Sequence, residues 1–85
     1  MESFSVDVIR RLVAHLDVST DFEHLVYREA ELDALWSLTS FQLLNEDDVE
    51  KRKAVERLHL CVHRAHDLVA TGQPKAAAEI LRPFC

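Results

Sequence analysis

An all-α bundle of about four helices is the fold this chain predicts, on three observations. Only one glycine and two prolines occur in 85 residues. Apolar residues recur every three or four positions, and helix-start and helix-stop chemistry stands where that recurrence breaks off. So few glycines leave almost none of the positive-φ turn positions that hairpins and sandwiches need.

Taken in order, Val6, Ile9, Leu12, Val13 and Leu16 share one side of a helical wheel, with Ser5 available as N-cap, and give a first helix over 5–17. Thr20-Asp21-Phe22-Glu23 has the form of a capping box and starts a second helix over about 21–44. Its main stripe is Phe22, Leu25, Leu32, Leu35, Trp36 and Leu43, while Val26, Tyr27, Leu38, Phe41 and Leu44 lie well off that stripe. A helix apolar most of the way round must be covered on more than one side, which makes its second half the expected centre of the fold. The polar Arg28-Glu29-Ala30-Glu31 segment is either an exposed bridge or a bend; no Pro or Gly forces a break.

Asn45 followed by Glu46, Asp47 and Asp48 reads as a cap and then carboxylates at the positive end of a helix dipole, opening a third helix over about 46–70. Val55, Leu58, Val62, Ala65 and Val69 form a heptad seam along it, too short for a free-standing coiled coil. Thr71-Gly72-Gln73-Pro74 closes it, and a fourth helix over about 74–82 turns Ala77, Ile80, Leu81 and Phe84 inward before Pro83 ends it. The third and fourth helices form an antiparallel hairpin, and residues 1–85 read as a single domain. The spacing of Ala65, Leu68, Gly72, Ala77 and Leu81 resembles the small and apolar positions of a tetratricopeptide hairpin. That resemblance covers about a fifth of the chain and is not repeated; it implies two packed antiparallel helices rather than a solenoid.

Composition bounds the function. A chain that is 48% apolar and 29% charged has ordinary globular usage. At this length it buries about 60 to 65% of its unfolded surface, too little for a multi-step active site or a cofactor domain. No apolar run is long enough to span a membrane, and MESFSVDVIRRL lacks the pattern of a secretory signal, so a cytoplasmic location is expected. Cys61 and Cys85 have no CxxC spacing and are expected as reduced thiols. The net charge of −5 works against nonspecific attraction to nucleic acid.

Four constellations could carry chemistry. His59, His63 and His66 fall within about 60° on the third helix, with Glu56 just beyond. His59 and His63 have the i, i+4 spacing that chelates zinc or another divalent metal, with Glu29, Glu31 and Asp33 as carboxylates from the second helix. The same stripe also fits histidines bordering an apolar face, where their charge changes near pH 6.5. Lys53, Arg57 and Arg64 share one side of the third helix and would contact DNA; Glu50 and Asp67, three residues from Lys53 and Arg64, point instead to solvated intrahelical pairs, and Glu46-Asp47-Asp48 would repel phosphates. Nucleophilic catalysis finds little support, a reactive Cys61 thiol being the lesser alternative. Cys61 reads as a small buried hydrophobe, Ser37, Thr39 and Ser40 as hydroxyls bonding back to their helix, and no glycine-rich phosphate loop exists. The chain is therefore expected to be a non-enzyme with no cofactor.

The remaining constellation is apolar. Trp36, Leu38, Phe41, Leu44 and Tyr27 give the second helix more apolar surface than three small neighbours can cover. Small domains recover missing burial by association. The expectation is a protein-interaction module, adaptor, chaperone-like or inhibitory, forming a homodimer through the second helix together with the seam of the third.

Overall fold

The apolar periodicities become helices in the computed structural model, which describes residues 6–18 and 21–85. These helices are α1 (Val6–Val18), α2 (Phe22–Asn45), α3 (Val49–Ala70) and α4 (Pro74–Leu81), followed by a 3-10 turn at Arg82–Phe84. Among the described residues there is no strand. The expected caps Ser5 and Thr20 lie outside the described residues, as do the side chains of Val6 and Phe22.

α2 is one uninterrupted helix of 24 residues. The polar segment in its first half does not bend the helix, and it is not an exposed bridge either: Arg28, Glu29 and Glu31 are half-buried, and Arg28 holds Glu31 across it at 2.7 Å. Asp21 occupies the N-cap position without a side-chain capping bond; its carboxylate lies 2.7 Å from His24 Nδ1 instead.

The start of α3 corrects the expected cap. Asn45 stays in the last turn of α2, where its Nδ2 donates to the Phe41 carbonyl at 2.8 Å. The chain then turns over 46–48, and Asp48 caps α3 by accepting from the Glu50 and Lys51 amides at 2.9 and 3.3 Å. Aspartate suits this place better than asparagine, because its charge also meets the positive end of the helix dipole.

The α3–α4 hairpin closes as its sequence predicts. Gly72 takes φ +81°, its amide reaches the Val69 carbonyl, and the Gln73 amide reaches the Leu68 carbonyl at 2.8 Å. These are the paired bonds of a Schellman motif, which an αL residue makes possible. Pro74 opens α4. Arg82 donates to Glu79 at 2.9 Å and to Asp17 at 3.2 Å, tying the C-terminal turn to α1. Those two carboxylates hold its guanidinium further above its usual value.

The core is shared by all four helices. Ile9, Leu12, Val13 and Leu16 from α1 meet Leu32 and Leu35 from α2, Leu58, Val62, Ala65 and Val69 from α3, and Ala77, Ala78 and Leu81 from α4. Ala78 joins a core in which Ala77 and Leu81 were foreseen. Ile80 and Phe84 are only partly buried.

The expected centre of the fold is corrected as well. Among the described residues of α2, Leu32, Leu35 and Thr39 are buried, and none from 40 to 45 is. The reason is length. α1 packs chiefly on α4, and the 8-residue α4 on α3 and α1; α4 is too short to follow α2 to its end. The last turns of α2 therefore run beside α3 alone.

Candidate interaction surface

The two sides of α2 differ completely in what covers them. Its inner side is closed by α3. There Thr39, with no exposed surface, directs its hydroxyl at the Leu35 and Trp36 carbonyls, both at 3.0 Å. This is the expected back-bonding to the helix. The same oxygen lies 2.6 Å from His59 Nδ1 on α3. Either neutral tautomer of His59 completes that bond, donating to the hydroxyl oxygen or accepting from it.

Trp36 sits beside this bond. Its indole is stacked on the His59 ring, with centroids 3.5 Å apart and planes at 20°. His63 lies against it at 5.2 Å in a tilted arrangement. Burial, and then the nearby His63, lower the His59 pKa from its usual value, so the ring is neutral at pH 7.

The histidines of the expected metal stripe have different polar partners, although His59 and His63 share Trp36, and His63, His66 and Asp33 line one pocket. His59 faces Thr39 and Trp36; His63 lies 3.9 Å from Asp67 on its own helix; His66 Nε2 lies 3.2 Å from Asp33 Oδ1. Asp33 is the carboxylate from α2 that reaches the stripe, while Glu31 pairs with Arg28. Among the described residues no group of three His, Cys, Asp or Glu side chains converges to hold a metal ion.

Lys53, Arg57 and Arg64 are all exposed on α3. The intrahelical pairs expected for Lys53 with Glu50 and for Arg64 with Asp67 are not among the ion pairs of the described residues, and Asp67 approaches His63 instead. Cys61 is half-buried at the edge of the core and Cys85 is exposed; both are free thiols. All five residues of the α3 seam, Val55, Leu58, Val62, Ala65 and Val69, are buried inside the bundle. The seam therefore offers nothing to a partner, which corrects its expected share in an interface.

The outer side of α2 is bare. Tyr27, Leu38, Phe41 and Leu44 are 64%, 43%, 56% and 85% exposed. Four of the five residues expected at an interface are thus brought to one side. Trp36 is the fifth, and it belongs to the α3 contact. The sequence reading missed the small residues between the large ones: Ala30, Ala34 and Ser37 are exposed on this same face. Tyr27, Ala30, Ala34, Ser37, Phe41 and Leu44 are spaced alternately three and four apart, a second heptad seam on α2, turned away from the core. The spacing was available in the sequence, but Ala and Ser at three of its six positions hid it from a reading that looked for large apolar side chains.

Between α1 and α2, an open groove of about 170 Å³ borders this seam, lined by Val8, Leu12, Glu31, Ala34, Leu35 and Leu38. Val8 is itself 42% exposed. Among the described residues no helix is long and apolar enough to cross a membrane. No family model, curated protein or solved structure matches this chain.

Proposed function

We propose that this chain is a non-catalytic protein-interaction module that binds through the outer face of α2. One observation carries the reading: a mostly apolar seam from Tyr27 to Leu44, interrupted by Ser37, lies in solvent on the side of α2 opposite Leu32 and Leu35. Monomeric proteins seldom leave contiguous apolar patches larger than a few hundred Å² uncovered, and larger ones mark binding surfaces. The mechanism is burial of this helical face against another, with Phe41, Tyr27 and Leu44 as anchors and the surrounding charges setting specificity. Adaptor, chaperone-like and inhibitory roles all use such a face, and a homodimer is one form of it.

The test is site-specific photo-crosslinking in cells. A benzoylphenylalanine at Phe41 is expected to give discrete protein adducts, while the same group at Arg64, exposed on α3, gives none. No adduct at Phe41 overturns the reading.

A further inference from the structure

We infer that the occupant of the outer face of α2 is a second copy of the chain, its α2 running antiparallel across a two-fold axis. This rests on the interaction reading above and names the partner.

The seam is bulky at its ends and small in its middle: Tyr27 at one end, Phe41 and Leu44 at the other, Ala30, Ala34 and Ser37 between. Heptad seams in antiparallel pairs match an a position with a d position across the axis. That register sets Tyr27 against the partner's Leu44, Ala30 against the partner's Phe41, and Ala34 against the partner's Ser37. Every contact is repeated by symmetry, as an isologous interface requires. The Phe41 ring thereby lies over an alanine, where two backbones approach closely enough for it to be covered. Parallel pairing would stack Tyr27 on its own copy and Phe41 on its own copy while three small layers faced each other, holding the helices apart over a void.

The groove beside the seam supports the same arrangement independently. In the antiparallel register Leu38 stands opposite the partner's Glu31 and Ala34, which are two of the groove's lining residues. Each copy thus supplies a leucine to the other's groove, against Val8 and Leu12 of α1.

Charge and area agree. Of the acidic residues bordering the axis, Glu31 is matched within its own chain by Arg28 at 2.7 Å, and Asp33 lies 3.2 Å from His66 Nε2. Across the axis they meet the partner's Leu38 and Ser40, not carboxylates. Given about 150 to 250 Å² for each whole aromatic side chain, the seam and Leu38 leave apolar surface on the order of 600 Å² per copy. Two copies together can bury at most about 1,200 Å² from these residues, the lower edge of stable specific interfaces.

The experiment combines native mass with one distance. Sedimentation of the full chain at tens of micromolar is expected to give twice the chain mass. Phe41→Asp should weaken the dimer roughly 30-fold or more, with helix content by circular dichroism unchanged. A spin label at Glu23→Cys, with Cys61→Ala and Cys85→Ser, should report a label-to-label distance of roughly 35 to 40 Å, from 25 residues of axial offset at 1.5 Å each. A distance under about 20 Å means parallel pairing and overturns the inference. So does a monomer at all concentrations, or a dimer indifferent to Phe41→Asp. A monomer that still forms photo-adducts of other masses at Phe41 overturns the second copy alone and leaves the interaction reading standing.

Discussion

α2 and α3 are neighbours of nearly equal length, 24 and 22 residues, yet they treat their apolar residues in opposite ways. α3 carries one apolar seam, buries all five of its residues, and presents mostly charged side chains such as Glu50, Lys51, Arg57 and Arg64 to water, with Val49 and Leu60 as isolated exposed apolar residues. α2 carries two. One reaches the core at Leu32 and Leu35, and the other is bare from Tyr27 to Leu44. A helix needs one apolar stripe to join a bundle; the second stripe of α2 is surplus to folding, which is why function is sought there.

The comparison is broken most sharply by truncating the inner side. Leu32→Ala in α2 and Leu58→Ala in α3, each 3% exposed or less, should each cost about 2 to 5 kcal/mol in urea denaturation, from lost transfer energy and an unfilled cavity. Equal losses would show that both helices are held by the same core. A loss under 1 kcal/mol at Leu32 would mean that α2 is only loosely docked.

Thr39→Val examines the polar seam between the two helices. Removing the hydroxyl takes away the partner of His59 Nδ1, and a cost of about 1 to 3 kcal/mol is expected for a polar group left unpaired in a half-buried site. At the junction between them, Asp48→Ala should cost about 1 kcal/mol, and Asn45→Ala clearly less, because Asp48 and not Asn45 caps α3. Chemical denaturation of the two variants side by side checks the order.

Acid should loosen the α2–α3 contact. The His59 pKa is lowered in the folded chain, so the unfolded chain binds more protons as the pH falls below about 6.5. Stability contributed by neutral His59 is complete above that value, declines as the pH falls through it, and is fully lost below the lowered folded pKa. His59→Gln should flatten the profile measured by thermal melting between pH 8 and pH 5. An unchanged profile would place the pH dependence elsewhere.

The smallest effect belongs to the outer seam. Leu44→Ser, at a side chain 85% exposed, should leave the stability of the dilute monomer within about 0.5 kcal/mol of the parent. If the seam pairs, the parent's melting temperature rises with protein concentration while that of the variant stays flat.

Much of this fold was legible before any coordinates. The α3 seam, Val55 to Val69, and the Gly72–Pro74 hairpin follow from residue spacing and from backbone chemistry that acts within a few residues. Helix ends were legible only in part. Both Asn45 and Asp48 are good caps, and the choice between them depends on where α2 stops, which its packing on α3 decides. The candidate surface was half legible: Tyr27, Leu38, Phe41 and Leu44 stand out by size, whereas Ala30, Ala34 and Ser37 matter only once that face is known to be outside.

The sequence by itself determined that the chain is helical, where α3 and α4 join, and that α2 is apolar on more than one side, because these follow from local periodicity and turn chemistry. Only the tertiary structure decided which side of α2 is covered. It set Trp36 against His59 and left Phe41 in water, though both are large aromatic residues on one helix. The reason is geometric: α1 and α4 are too short, and too occupied with each other, to reach around α2, and no local pattern records how far a neighbouring helix extends.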